Sequence, residues 1–147
     1  VQIEAQGQQF KWYFRYPGPD GKFGRTDREF VDDSAGNFFG VDPNDPDGKD
    51  DLTTPIIAVP ANREVQLTLR SKDVIHGFTV RELRVKQDAV PGMRIPIHFT
   101  AEKAGRYEVA CVELCGMNHH QMRSFLLVFD DAGYQNWLRE QAAFSAQ

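Results

Sequence analysis

Alternation with a period of two constrains this chain more than any other feature. In "REVQLTLRSKD", Val65, Leu67 and Leu69 fall on one side of an extended backbone. In "RIPIHFT", Ile95, Ile97 and Phe99 do the same and send His98 to the other side. "QQFKWYFRYPG", "PIIAVPAN", "VIHGFTV", "RYEVACVE" and "SFLLVFDD" are further short β-type runs, several of them bounded by Gly or Pro turns. Strands this short bury their apolar sides only by facing one another, which predicts an all-β sandwich or barrel. Only the tail reads as helix, over 131–144. Asp130 or Asp131 caps it, and Tyr134, Trp137, Leu138 and Phe144 form a stripe suited to covering a core.

Residues 17–54 break the pattern. They are rich in Gly, Pro and Asp and read as a long excursion from the sandwich, solvated along its length. From Asp20 to Asp51 there are ten Asp or Glu against four Lys or Arg, a patch suited to steering a basic protein partner. "DPNDPDGKDD" has the carboxylate density of a calcium loop but misses the register of an EF-hand, so a plain surface loop is expected. The formal net charge of -4 argues against a nucleic-acid partner, which would be met by a basic stripe. The longest apolar run, Phe125 to Phe129, is far short of the roughly 20 residues that cross a bilayer. The chain starts at Val1 without Met or leader, so a mature or trimmed piece is expected, separated from a natural membrane anchor.

The chemistry is concentrated in "CVELCGMNHHQM", residues 111–122, which holds both cysteines of the chain and two of its four histidines. Cys115, His119 and Met122, with His76 from "VIHGF", have the donor types of a mononuclear blue-copper site: thiolate, two imidazoles and a weak thioether. Cys111 adds a second thiolate four residues earlier. Two bridging sulfurs then hold two copper ions, with His76 and His119 as terminal donors, Met122 as one weak ligand and a carbonyl near Glu113 as the other. A Cys2His2 zinc site uses the same four strong donors but has no need of Met122 or of the Glu-containing loop. A bare Cys111–Cys115 disulfide is geometrically possible and explains none of the other donors. His98 and His120 read as strand and surface histidines, and Met93 and Met117 as packing around the site. Asp73, three residues before His76, suits either the orientation of a ligand or a turn at a strand end.

The loop resembles the binuclear copper (CuA) motif of cytochrome c oxidase subunit II, Cys-x-Glu-x-Cys-Gly-x-x-His-x-x-Met. It matches at Cys111, Glu113, Cys115, Gly116, His119 and Met122. "DVIHGFTV" resembles that family's upstream histidine strand. "VKQDAVPGM" resembles its Lys-x-Asp-Ala-x-Pro-Gly segment at Lys86, Asp88, Ala89, Pro91 and Gly92, and "GQQFKWYFRY" resembles its opening aromatic stretch. The resemblance implies a cupredoxin-like Greek-key sandwich with a short C-terminal helix, on the periplasmic face of a bacterial inner membrane. It implies that cytochrome c gives an electron to the copper pair, which passes it to haem in subunit I for oxygen reduction. It also implies that the Glu113 carbonyl ligates copper while its carboxylate meets a magnesium at the border with subunit I. The family's usual Trp is Phe10 here, which leaves Phe10, Trp12 and Tyr13 as candidates for electron uptake. The copper domain of nitrous oxide reductase shares the Cys-x3-Cys-x3-His-x2-Met spacing but carries an aromatic where Glu113 stands. A copper chaperone or thiol assembly factor would place its His after the cysteines, on an α/β fold.

Overall fold

The computed structural model describes residues 1–9, 11–19, 21–111 and 123–145. Within them lie ten strands: β1 Gln2–Gln8, β2 Lys11–Tyr16, β3 Leu52–Thr54, β4 Ile57–Pro60, β5 Glu64–Ser71, β6 His76–Val80, β7 Val85–Ala89, β8 Ile95–Thr100, β9 Gly105–Cys111 and β10 Arg123–Phe129. One helix follows, α1 Asp131–Ser145. The strands form two five-stranded sheets, ordered β3-β2-β1-β5-β8 and β4-β10-β9-β6-β7. The β1–β5 and β4–β10 pairs are parallel, and the other pairs are antiparallel.

The predicted alternation sets the core. Val65, Leu67 and Leu69 of β5 and Trp12, Phe14 and Tyr16 of β2 point inward from the first sheet. Phe78, Val80, Val109, Cys111, Leu126 and Val128 meet them from the second. Ile95, Ile97 and Phe99 of β8 pack at the margin, half-buried, while His98 is exposed beside Glu64. Asp130 starts α1: its carboxylate accepts from Gly133 N at 2.7 Å, and its carbonyl accepts from Tyr134 N at 2.9 Å. Tyr134 and Trp137 are buried, and Trp137 tilts onto Tyr16 at 5.4 Å between ring centroids.

Two expectations need correction. "QQFKWYFRYPG" is not one run: its first residue, Gln8, ends β1, and β2 pairs back antiparallel against β1 with Gln8 opposite Lys11 and Gly7 opposite Trp12. The excursion is also more than a solvated loop, because it lies over the outer side of the first sheet and buries β1 from both faces. Glu4, Gln6 and Gln8 are buried there despite pointing away from the core. Asp27, Asp32 and Asp45 cap three short 3-10 turns, Arg28–Phe30, Asp33–Ala35 and Pro46–Gly48. Phe39 is buried between the guanidiniums of Arg15 and Arg70, each 5.5 Å from its ring centre.

Arg15 fastens this layer. Its guanidinium, 1% exposed, donates to Glu4 at 2.7 Å, to Asp51 at 2.9 Å and to the Gly24 carbonyl at 3.0 Å. The same Asp51 oxygen accepts from Gly24 N at 2.9 Å. Arg15→Ala strands buried carboxylates and should cost about 3–5 kcal/mol in chemical denaturation. Arg63→Ala, at an exposed pair with Asp131, should cost less than about 1 kcal/mol. Equal losses would refute the fastening role.

The excursion should also be acid-sensitive. The Ser34 hydroxyl and the Ala35 amide hold the Asp32 carboxyl below its ordinary value. Arg25 does the same for Asp42, and the Arg25 and Asp47 amides do so for Asp45. Values lowered on folding give stability that is complete above the unfolded aspartate value of about 3.9. That stability is lost as pH falls through the lowered values. Amide resonances of Ser34, Asn44 and Asp47 should therefore shift as pH falls below about 3.9; unmoved resonances would show that the carboxylates are not so held.

Candidate metal centre

Strand register brings His76 and Cys111 to one end of the interior. Phe78 of β6 pairs with Cys111 of β9, so the two side chains share a face. His76 stands two residues before Phe78, so the same period of two turns it inward beside Cys111. The His76 side chain is 0% exposed.

Asp73 orients it. His76 Nε2 and Asp73 Oδ1 are 2.7 Å apart, and Asp73 Oδ1 also accepts from Val74 N at 2.7 Å. Gln9 N donates to the other oxygen, Oδ2, at 2.7 Å. A carboxylate partner assigns the proton to Nε2 and leaves the Nδ1 lone pair bare. Nδ1 is buried with no oxygen or nitrogen partner among the described residues, and its neighbour is the Cys111 thiol, a weak hydrogen-bonding group. Burial presses the imidazolium downward. The neighbouring Cys111 sulfur and the Asp73 carboxylate act the other way, and the balance lies above the usual histidine value.

This arrangement passes a test of fit for a soft metal. A buried nitrogen lone pair with no partner is costly unless something binds it. It stands beside a cysteine sulfur, with its other nitrogen anchored by a carboxylate, the usual support of a metal-bound histidine. Of the predicted ligands, His76 and Cys111 are thus brought together. Glu113, Cys115, His119 and Met122 lie outside the described residues, as do Met117 and His120.

The aromatic candidates separate in the same way. Phe10 lies outside the described residues. Trp12 is buried behind the site, edge-on to His76 with ring centroids 5.9 Å apart and to Phe78 at 5.3 Å. It therefore offers a ring next to His76 and no face to a docked protein. Tyr13 points the opposite way, half-buried and stacked on Phe38 at 3.8 Å. Burial, with help from Asp33, raises its phenol pKa. Met93, expected to pack, is exposed because it follows the Pro91-Gly92 turn. Val74 and Ile75, just before His76, are exposed as well. The Gln9 amide was not foreseeable, since a backbone group leaves no mark on residue identity.

The model of the family described as cytochrome C oxidase subunit II, periplasmic domain, matches residues 1–128. The chain is 38% identical over 147 residues to the alternative cytochrome c oxidase subunit 2 of Bradyrhizobium diazoefficiens, covering 99% of this chain and 52% of that protein. The chain thus spans about half the length of that relative. Among solved structures, the periplasmic domain of subunit II of cytochrome oxidase from Bradyrhizobium japonicum superposes with a TM-score of 0.69 at 29% identity, covering 96% of this chain and 92% of that one. A structure described as the mixed disulfide intermediate between a thioredoxin-like protein and subunit II of cytochrome c oxidase gives 0.66 at 28% identity, covering 97% and 91%. The sandwich is accordingly cupredoxin-like.

Asp73→Ala frees the Nε2 proton and lets the ring turn. Copper affinity, read by competition with a chelator, should fall about 10–100-fold. Glu64→Ala, whose side chain meets exposed His98, is the control. Equal affinities in the two variants would remove Asp73 from the site.

Proposed function

The chain belongs to the family of cytochrome c oxidase subunit II periplasmic domains, and we propose that it holds the electron-receiving copper pair of such a subunit. Cys111 and Cys115 would supply the thiolates that hold the pair, His76 through Nδ1 and His119 the imidazoles, and Met122 and the Glu113 carbonyl the weak donors. When bound, the pair supplies one-electron chemistry with little change in bond lengths. What supports the reading is the buried Nδ1 of His76, which has no oxygen or nitrogen partner among the described residues and lies beside the Cys111 thiol.

The residues of this chain prepare that chemistry in distinct ways. Asp73 keeps a proton on Nε2 and so keeps Nδ1 available as a ligand. Trp12, itself packed edge-on against Phe78, covers the buried imidazole on one side. The alternation of β9 aims Cys111 into the same dry interior. A rigid, water-excluding pocket suits electron transfer, where groups that must reorganise slow each event.

In this reading the domain is an electron carrier with no turnover of its own. It works on the outer, periplasmic face of the inner membrane, in a membrane-anchored subunit of an oxidoreductase complex. Electrons come from cytochrome c or an equivalent haem donor and leave for haem in subunit I, where oxygen is reduced. Phe10 and Tyr13 are the candidate aromatics for uptake, with Trp12 buried next to His76. The Glu113 carboxylate takes a magnesium only at the border with subunit I. Among the described residues no helix is long and apolar enough to cross a membrane.

A thioredoxin-like thiol partner belongs to the same reading. The solved neighbour was trapped as a mixed disulfide with such a protein. Copper binding here requires both cysteines as thiolates, so a reductant that opens a Cys111–Cys115 disulfide would precede loading.

The copper-loaded protein should bind two metal ions per chain, with one unpaired electron coupled equally to two copper nuclei in its electron resonance spectrum. Cys111→Ser should collapse this to a single-copper pattern. Saturation at one equivalent, or an unchanged spectrum in Cys111→Ser, would sink the binuclear reading.

A further inference from the structure

The inward residues of β1 shrink towards the metal end, from Ile3 to Ala5 to Gly7. The reason lies across the interior. A Cβ placed on Gly7 would stand 2.8 Å from Cγ of His76 and 2.9 Å from its Cβ and Cδ2. Carbon atoms pack at roughly 3.5–4.0 Å, so the imidazole rests on bare backbone. Gly7 does not have a positive φ, so it is not glycine for the sake of a turn. What the position demands is room.

Nor can either side easily retreat. Gly7 sits in a strand paired on both flanks, opposite Trp12 on β2 and Ser71 on β5. Its carbonyl accepts from Lys72 N at 3.0 Å, which ties it to the segment leading into His76. The ring is held in turn by Asp73 at Nε2 and by the edge of Trp12. We propose that Gly7 is a positioning residue of the metal centre: its missing side chain sets the depth of the His76 imidazole and therefore the point at which Nδ1 is presented. The proposal rests on the copper reading above for its consequence and on the Gly7–His76 contact for its cause.

The test uses Gly7→Ala beside Leu67→Ala, a core truncation remote from His76 that lowers stability without touching the site. In Gly7→Ala, copper should dissociate at least about tenfold faster, with altered hyperfine splitting. Leu67→Ala should keep the unsubstituted spectrum. Copper retention and splitting in Gly7→Ala that match the unsubstituted protein would overturn the proposal. So would equal spectral changes in both variants.

Two measurements on metal-free protein decide the seat without reference to copper. In the unsubstituted chain, Gly7 Hα and the His76 ring proton should give a nuclear Overhauser cross-peak, and its absence overturns the contact even if Gly7→Ala does not fold. In Gly7→Ala, the ring nitrogen shifts of His76 should move as its bond to Asp73 is disturbed, and unmoved shifts count against the proposal. The copper reading stands or falls separately, on the resonance pattern of the unsubstituted protein.

Discussion

Burial of two alternating faces against each other is the interaction on which the rest depends. Every inward side chain of β5, β6, β9 and β10 is placed by its register with a neighbour across the sheet. Because the repeat is two, a slip of one residue would send Leu67 and Phe78 to solvent. The same slip would carry Cys111 and His76 outward. The proposed ligands His76 and Cys111 are therefore held by the apolar core itself: Cys111 continues the inward series of Val109, and His76 that of Val80 and Phe78. Any sequence that keeps this core in register delivers a thiol and an imidazole to one end of it.

Packing positions the ligands, and a short set of polar contacts fixes their orientation. Asp73 joins the two sheets at the metal end, with Gln9 from the β1–β2 turn on one oxygen and His76 and Val74 on the other. The Ser71 hydroxyl closes the same loop on the Val74 carbonyl. The Asp73 carboxyl is penalised by burial, yet the Gln9 amide and His76 outweigh that penalty and keep it below the ordinary aspartate value. An anion held there stabilises the Nε2-protonated ring, which is the tautomer a ligating Nδ1 requires.

What was legible in the sequence follows from which forces leave marks on residue identity. β5 and β8 show clean alternation because one face meets the core and the other meets water or a half-covered margin. β1 does not, because the layer formed by residues 17–51 covers its outer face, and Glu4, Gln6 and Gln8 read as surface residues although they are buried. His76 and Cys111 were legible as candidate donors from residue type and spacing, and the strand register brings them to one end of the interior. Asp73 was legible only as one of two alternatives, since carboxylates also favour turns. Gly7 was illegible, because a glycine chosen for the room it leaves looks like one chosen for a turn. Without the strand pairing, nothing says that His76 lies above it.

The covering layer gains significance from that last point. A seat made of bare backbone has no side chain with which to resist movement, so its stiffness must come from its neighbours. From within the sheet, Trp12 and Ser71 hold Gly7 on both flanks. From behind, Gln6 donates to the Phe38 carbonyl at 2.7 Å and to Gln8 at 3.1 Å, which pins the residues on either side of Gly7 to the excursion. Lys72, beside the loop that carries Asp73, meets Asp33 of the same layer at 2.6 Å. The excursion thus braces the floor beneath His76 and the loop beside it, while Arg15 keeps it seated through Glu4 and Asp51. Its acidic composition and its buried contacts then serve different ends: the exposed carboxylates are available to a basic partner, and the buried ones keep the layer in place behind the metal site.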